Sequence, residues 1–258
     1  MWRMLALCVA CCACGATAQE RVLPLPELRS GITFAGANVR AMQADELANP
    51  GMLWVERGEK LWNAPATGSG KTCASCHGSA PTSMRGVAAS YPKYDGSAGA
   101  VLDLEARIND CRTRRQQTTA LARESEDLLA LTAFVAYQSR GVPLAVSIDG
   151  PARASFDRGR EFYFQRHGQM NIACTQCHDQ NWGKRLLGET ISQGHPTAFP
   201  GYRLEWQSLG SLQRRLRACL FGIRAEMPAP GAPELTDLEL YLAWRAQGLP
   251  LEAPGVRR

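Results

Sequence analysis

Cys73-Ala-Ser-Cys76-His77 and Cys174-Thr-Gln-Cys177-His178 share the pattern C-x-x-C-H and lie 101 residues apart. Two thiols at that spacing can form thioethers to the vinyl groups of a porphyrin, and the histidine that follows can bind the iron from the same side. The pair therefore predicts two covalently bound haem c groups. Cys73, Cys76, Cys174 and Cys177 hold the porphyrins, with His77 and His178 as proximal metal ligands. A zinc knuckle or a redox C-x-x-C would need further paired Cys or His, which the chain lacks.

The surroundings of the two motifs repeat. Arg57-Gly58 matches Arg158-Gly159, and Leu61-Trp62 answers Phe162-Tyr163. Val101, Leu104, Ile108 and Cys111 match Leu209, Leu212, Leu216 and Cys219, each set stepping as one helix face does. Helices ending in Gly141-Val-Pro-Leu144 and Gly248-Leu-Pro-Leu251 carry the same glycine stop followed by proline. Each half reads helix, haem loop, helix, helix, with a first-helix glycine (Gly58, Gly159) able to accept an aromatic from the last (Tyr137, Trp244). That order resembles the class I cytochrome c fold. The expected architecture is mainly α: two cytochrome c-like haem domains in tandem, 50–147 and 151–251, related by an internal repeat. They are joined loosely near Ser147-Ile-Asp-Gly-Pro151, and an extended N-terminal segment over 19–49 wraps the surface.

Of the 258 residues 45% are hydrophobic and 21% charged, which suits a globular chain. The net charge is only +5, from 29 Lys+Arg against 24 Asp+Glu, too even a balance for a nucleic-acid binder. After the N-terminus no apolar run is long enough for a membrane span. The first 18 residues have a cationic start at Arg3, an apolar stretch and the small-x-small ending Ala16-Thr-Ala18, which predicts a signal peptide cleaved after Ala18. Acylation of Cys8, Cys11, Cys12 or Cys14 is the minor reading. Cleavage leaves Cys73, Cys76, Cys111, Cys174, Cys177 and Cys219 in an oxidising compartment, where spare thiols call for a further explanation.

Cys111 and Cys219 are those spare thiols. Met227-Pro228 stands where a class I cytochrome places its distal Met, yet the matching stretch 112–120 contains no Met. The two cysteines admit three readings: a disulfide, two buried structural thiols, or two thiolates bound to iron. The last treats both halves alike, pairing His77 with Cys111 and His178 with Cys219. Arg107 and Arg215 each lie four residues before the cysteine, one turn away on the same helical face. Further arginines, 112, 114 and 115 in the first half and 214, 217 and 224 in the second, complete two basic helices. Such cations favour a thiolate and attract an anionic sulfur oxyanion, while for any single one a solvated helix face is the plainer explanation. The two cysteines are not ranked by these patterns. His167 and His195 remain, and His195-Pro196 is expected on the surface.

The run Tyr202-Arg-Leu-Glu-Trp-Gln-Ser-Leu-Gly-Ser-Leu-Gln-Arg-Arg215-Leu-Arg-Ala-Cys219, with Arg224-Ala-Glu and Leu238-Glu-Leu-Tyr241-Leu-Ala, resembles the SoxA family of dihaem cytochromes. The likeness covers about Asp45 to Pro250. It implies an enzyme, an L-cysteine S-thiosulfotransferase of the periplasm that joins thiosulfate oxidatively to a cysteine of the carrier SoxYZ. It also implies a SoxX-like monohaem cytochrome partner subunit. By the same resemblance Cys219 is the catalytic cysteine, able to exist as a persulfide and distal ligand of the second haem, and Arg215 binds substrate; Arg224, a few residues on, is expected to help dock the same anion. The first haem corresponds to Cys73, Cys76, His77 and Cys111. Two other functions stay open: a dihaem electron carrier with Met227 as distal ligand, and a thiosulfate dehydrogenase that forms tetrathionate.

Overall fold

A computed structural model of the chain describes Pro24 and residues 27–258. The expected leader and its cleavage point after Ala18 lie outside the described residues. The stretch expected to be extended is instead partly helical, with a 3-10 turn at Gly31–Phe34 and helix α1 (Ala37–Ala44). Its sequence ANVRAMQA is rich in good helix formers, and a helix satisfies its own backbone while turning Gln43 inward. Gln43 Oε1 accepts the Val256 N–H at 2.9 Å, and Asn49 Nδ2 donates to the Pro254 carbonyl at 2.9 Å. The N-terminal segment is thereby fastened to the end of the chain.

The next elements are α2 (Met52–Asn63), the four-residue α3 (Ala74–His77), α4 (Ala80–Ser83), a hairpin of β1 (Lys93–Asp95) and β2 (Ala100–Leu102), then α5 (Leu104–Arg114) and α6 (Glu126–Tyr137). After a 3-10 turn at Gly150–Ala152 come α7 (Arg153–Phe164) and the short α8 (Cys174–His178). Two hairpins follow, β3 (Arg185–Leu186) with β4 (Glu189–Thr190) and β5 (Gly201–Arg203) with β6 (Ser208–Gly210). Helices α9 (Leu212–Gly222) and α10 (Pro233–Arg245) lead to β7 (Gly255–Arg257), which pairs in parallel with β5. Val101 and Leu209, expected on the helix faces, lie in strands. Asp103 and Ser211 are N-caps that accept from the Ala106 and Arg214 N–H groups, so each helix starts after the strand.

Helix α2 packs on α6 and α7 on α10, each crossing at a glycine. A Cβ on Gly58 would stand 2.1 Å from the Ala130 carbonyl oxygen, and one on Gly159 1.9 Å from that of Asp237. The glycines therefore let backbone meet backbone, rather than receiving Tyr137 and Trp244 as expected. Tyr137 donates instead to Glu46 Oε1 at 2.7 Å, and Trp244 packs edge-on against Phe156 with centroids 5.0 Å apart. In Gly159→Ala the overpacking cost of about 1–3 kcal/mol should outweigh the roughly 1 kcal/mol gained in helix propensity. Thermal unfolding should show a lowered midpoint, and an unchanged or raised one would refute the close crossing.

The expectation of loosely joined halves is corrected by the two glycine stops, which pair with each other. Gly141 N–H donates to the Leu251 carbonyl at 2.8 Å, Leu144 to Leu249 at 2.9 Å, and Leu251 to Val142 at 2.9 Å. Each stop leaves backbone groups beyond a helix end, and the other stop satisfies them. Around the bridge Ala88, Ala89, Ala136 and Leu144 bury against Ala246, Leu251 and Ala253. Deeper in, Gln213 Nε2 on α9 donates to Asp103 Oδ2 at the start of α5, 3.0 Å away. Among the described residues no helix is long and apolar enough to cross a membrane.

Candidate haem and thiol centres

Each C-x-x-C-H stretch forms one short helical turn, so its two thiols and its imidazole emerge together. In the second half Cys219 on α9 lies within the electrostatic field of both Cys174 and Cys177. In the first half Cys111 on α5 stands in the same relation to Cys73 and Cys76. All six cysteines among the described residues are free. The disulfide reading fails here, because Cys111 and Cys219 each face the motif of their own half.

The second centre is the more enclosed. His178 Nδ1 is held by the Ser192 carbonyl at 2.8 Å, which fixes the ring and leaves Nε2 available to a metal. Burial holds this imidazole below its ordinary value, in the neutral form that a ligand needs. Gly194, at φ +73°, lies against the ring, where a Cβ would be 2.9 Å from His178 Cγ. Burial, and then the neighbouring Cys219, push the Cys174 thiol up to about 12. A thioether carries no charge, so surroundings that disfavour a thiolate suit the attached form. These donors fit haem c, with Cys174 and Cys177 for the porphyrin and His178 and Cys219 toward the iron.

Behind His178 is a buried polar group that the sequence reading did not find. Asp179 Oδ1 accepts from Tyr163 Oη at 2.9 Å and is also bound by Arg245 Nη2. Arg245 lies over the Tyr163 ring at 4.5 Å and donates to the Gln193 carbonyl at 3.2 Å. The first half has no counterpart, since Gly78 follows its histidine and Trp62 Nε1 donates to the Gly78 carbonyl at 3.2 Å. There His77 and Cys76 are exposed, and Trp62 lies 5.7 Å from the His77 ring, centroid to centroid. Gln116 Nε2 contacts Cys73 Sγ at 3.8 Å while its Oε1 is buried and unpartnered among the described residues. The first donor set, Cys73, Cys76, His77 and Cys111, also suits haem c.

The arginines distinguish the two cysteines. Arg107 Nη1 binds Asp95 Oδ2 at 3.0 Å and Asp110 Oδ2 at 3.1 Å, so the charge one turn before Cys111 is neutralised internally. Arg215, half-buried one turn before Cys219, has no ion pair or side-chain hydrogen bond among the described residues. A third guanidinium joins it. Arg203 of β5 lies within electrostatic reach of both Arg215 and Cys219, and burial, then Arg215, lowers it from its ordinary value. Its only sequence signal was its place in the run that carries the family resemblance.

The other expected residues fall further out. Arg224, at φ +56°, is exposed beyond the end of α9, with its N–H on the Phe221 carbonyl at 2.9 Å and its carbonyl accepting from Gln169 at 3.2 Å. Met227 is 40% exposed, a surface position that does not favour it as an iron ligand. His167 stacks on Phe162 with centroids 4.3 Å apart. His195, expected on the surface, is buried with Nε2 3.2 Å from Gln193 Oε1, because the loop around it is packed inward by Gln193 and Thr197.

Known proteins resemble this chain over most of its length. Residues 57–144 match the family model described as SoxA/TsdA, cytochrome c domain. The L-cysteine S-thiosulfotransferase subunit SoxA of Pseudaminobacter salicylatoxidans is 41% identical over 236 residues, 91% of this chain and 82% of that protein. The subunit of the same name from Rhodovulum sulfidophilum is 41% identical over 90% of this chain and 80% of its own length. The crystal structure of SoxXA from P. pantotrophus superposes with a TM-score of 0.85 at 35% identity, covering 89% of this chain and 86% of that one. With an unneutralised arginine beside a free cysteine at a haem-binding motif, and relatives this similar over most of its length, the chain belongs to the SoxA family of L-cysteine S-thiosulfotransferase subunits.

Proposed function

We propose that this chain is the thiosulfate-joining subunit of a periplasmic complex, with Cys219 as its catalytic thiol. The observation that carries the reading is the contrast between Arg107, closed off by Asp95 and Asp110, and Arg215, open beside Cys219. Two tandem cytochrome c-like modules, 50–147 and 151–251, each hold one haem c, and the segment before them packs along the chain's end. An exported precursor cleaved after Ala18 accounts for the cysteine-rich leader. The partners are a SoxX-like monohaem cytochrome, a reading supported by the likeness to a SoxXA structure, and the carrier SoxYZ.

Arg215, and Arg224 at the rim, bind the thiosulfate dianion and hold its outer sulfur toward Cys219. Haem c held by Cys174, Cys177 and His178 would supply an electron acceptor for the oxidation of that sulfur. Joining thiosulfate to the Cys219 thiol makes one sulfur–sulfur bond and releases two electrons and the thiol proton. Exchange with a carrier thiol then passes the S-thiosulfonate group on and restores Cys219. A persulfide on Cys219 would need two further exchanges: one thiol displaces sulfite from the adduct to give a trisulfide, and a second thiol leaves with the first as a disulfide. The halves are unequal in this scheme, because the arginine one turn before Cys111 is tied to two aspartates and the one before Cys219 is not.

The test is mass spectrometry of the carrier after incubation with thiosulfate, the holo complex and an oxidised acceptor cytochrome. A thiosulfonate adduct on one carrier cysteine is expected. Tetrathionate with an unmodified carrier would identify a dehydrogenase instead.

A further inference from the structure

Resting on that reading, we propose that Arg203 is a second anion-binding guanidinium at Cys219, which receives a sulfur oxyanion jointly with Arg215 when the oxyanion displaces Glu205. The argument starts from the β5–β6 hairpin. Its turn carries Glu205 and Trp206, and Gly210 on the return strand leaves room for the indole, since a Cβ there would lie 2.5 Å from Trp206 Cζ3. Arg203 packs over that indole at 5.0 Å and Arg214 of α9 at 4.3 Å, so the aromatic ring fastens the hairpin to the helix that bears Arg215 and Cys219. The Arg203 side chain is only 11% exposed, whereas Glu205 is 50% exposed.

Charge balance gives the pair its meaning. Glu205 Oε1 accepts from both Arg203 Nε at 2.8 Å and Nη2 at 2.6 Å, so a single oxygen occupies the edge of the guanidinium that can hold two oxygens of a sulfonate. This half-exposed carboxylate is the one acid paired with Arg203, and Arg215 has none among the described residues. Two guanidiniums thus share a single, solvent-facing negative charge. A dianion such as thiosulfate supplies the missing charge, and Glu205 can swing into water at little cost because half of it is already there. Arg203 is the fixed member: its stem is held in the strand and its face is stacked, so its fork is preorganised for three tetrahedral oxygens.

The proposal makes two variants move in opposite directions. Calorimetric titration of the reduced holo complex with thiosulfate, in the absence of carrier, reads binding without oxidative joining. Arg203→Gln should weaken the dissociation constant about tenfold, and Glu205→Gln should tighten it several-fold by removing the resident competitor. Arg203→Lys, which keeps the charge but not the fork, should lie between wild type and Arg203→Gln and serves should the glutamine variant fold poorly. In turnover with carrier the same changes should appear in KM for thiosulfate, with kcat and the ferric low-spin EPR spectrum preserved. If Arg203→Gln and Arg203→Lys bind as wild type does, or if Arg203→Gln and Glu205→Gln both weaken binding as breakage of a structural pair would, the proposal is overturned. Its failure is distinct from that of the function, which is read separately from the carrier adduct made by the wild-type complex.

Discussion

Cys219→Ala, prepared as the haem-loaded complex, should lose carrier loading by a factor of about a thousand or more, as removal of a covalent nucleophile does elsewhere. The corresponding Cys111→Ala should retain loading within a few-fold. The physical ground is the asymmetry between the two helices. Both thiols stand one turn after an arginine, but Arg107 is held by Asp95 and Asp110 at 3.0 and 3.1 Å while Arg215 is open to an anion. Low-temperature EPR with near-infrared magnetic circular dichroism gives the second readout. Wild type should carry two thiolate-type low-spin signals, and each alanine variant should lose the one belonging to its own half. Loading that survives Cys219→Ala, or a methionine charge-transfer band that persists in it, would return the chain to the electron-carrier reading.

Much of this centre was legible because covalent haem attachment is local. Cys, Cys and His must come from one helical turn, so Cys73 to His77 and Cys174 to His178 announce themselves in five residues each. The place of Cys111 and Cys219 on corresponding helices was also readable, since one helical periodicity recurs in both halves. What tells the two cysteines apart was not readable. Asp95 reaches Arg107 from a hairpin, across twelve positions of sequence, and nothing in the spacing reveals that no such acid reaches Arg215.

Other misses share that cause. Arg203 lies sixteen residues before Cys219 and comes close to it only because a two-stranded turn folds back on α9. Asp179 was visible as the residue after His178, but its partners Tyr163 and Arg245 come from separate helices. The repeated glycine stops were noticed as helix ends, yet their function is to pair with each other. Helix boundaries near Val101 and Leu209 slipped because apolar spacing continues from strand into helix, and only the capping Asp103 and Ser211 mark the change.

Between pH 4.5 and 7 the folded chain should become less stable as pH rises, because of a buried acidic cluster where the halves meet. Asp103, Glu105 and Glu239 line one cavity with Arg123 and Ser211. Arg123 Nη1 contacts Asp103 Oδ2 at 2.8 Å and Glu105 Oε2 at 3.0 Å and also lies in the field of Glu239, so one guanidinium serves three carboxyl groups, while Glu124, bound to Ser211, adds a further negative charge to Glu105 and Glu239. Burial, and then Asp103, raise Glu105 from 4.5 to about 7, and burial drives Glu239 up as well. The native state therefore holds protons that the unfolded chain releases. That stabilisation is complete below the unfolded value near 4.5 and is lost by about pH 7, roughly 3 kcal/mol for Glu105, to which Glu239 adds in the same direction. Asp95, held low chiefly by the Ser97 hydroxyl, changes below this window. His178 would act in the opposite sense in the bare chain, so the measurement belongs to the haem-loaded protein, where iron would engage its ring. Glu105→Gln keeps the shape and an acceptor for Arg123 while removing the charge. Its denaturation midpoint should exceed that of wild type at pH 8 and match it near pH 5, and Glu105→Gln/Glu239→Gln should flatten the profile further. Equal pH slopes in wild type and both variants would show that the cluster holds no shared proton.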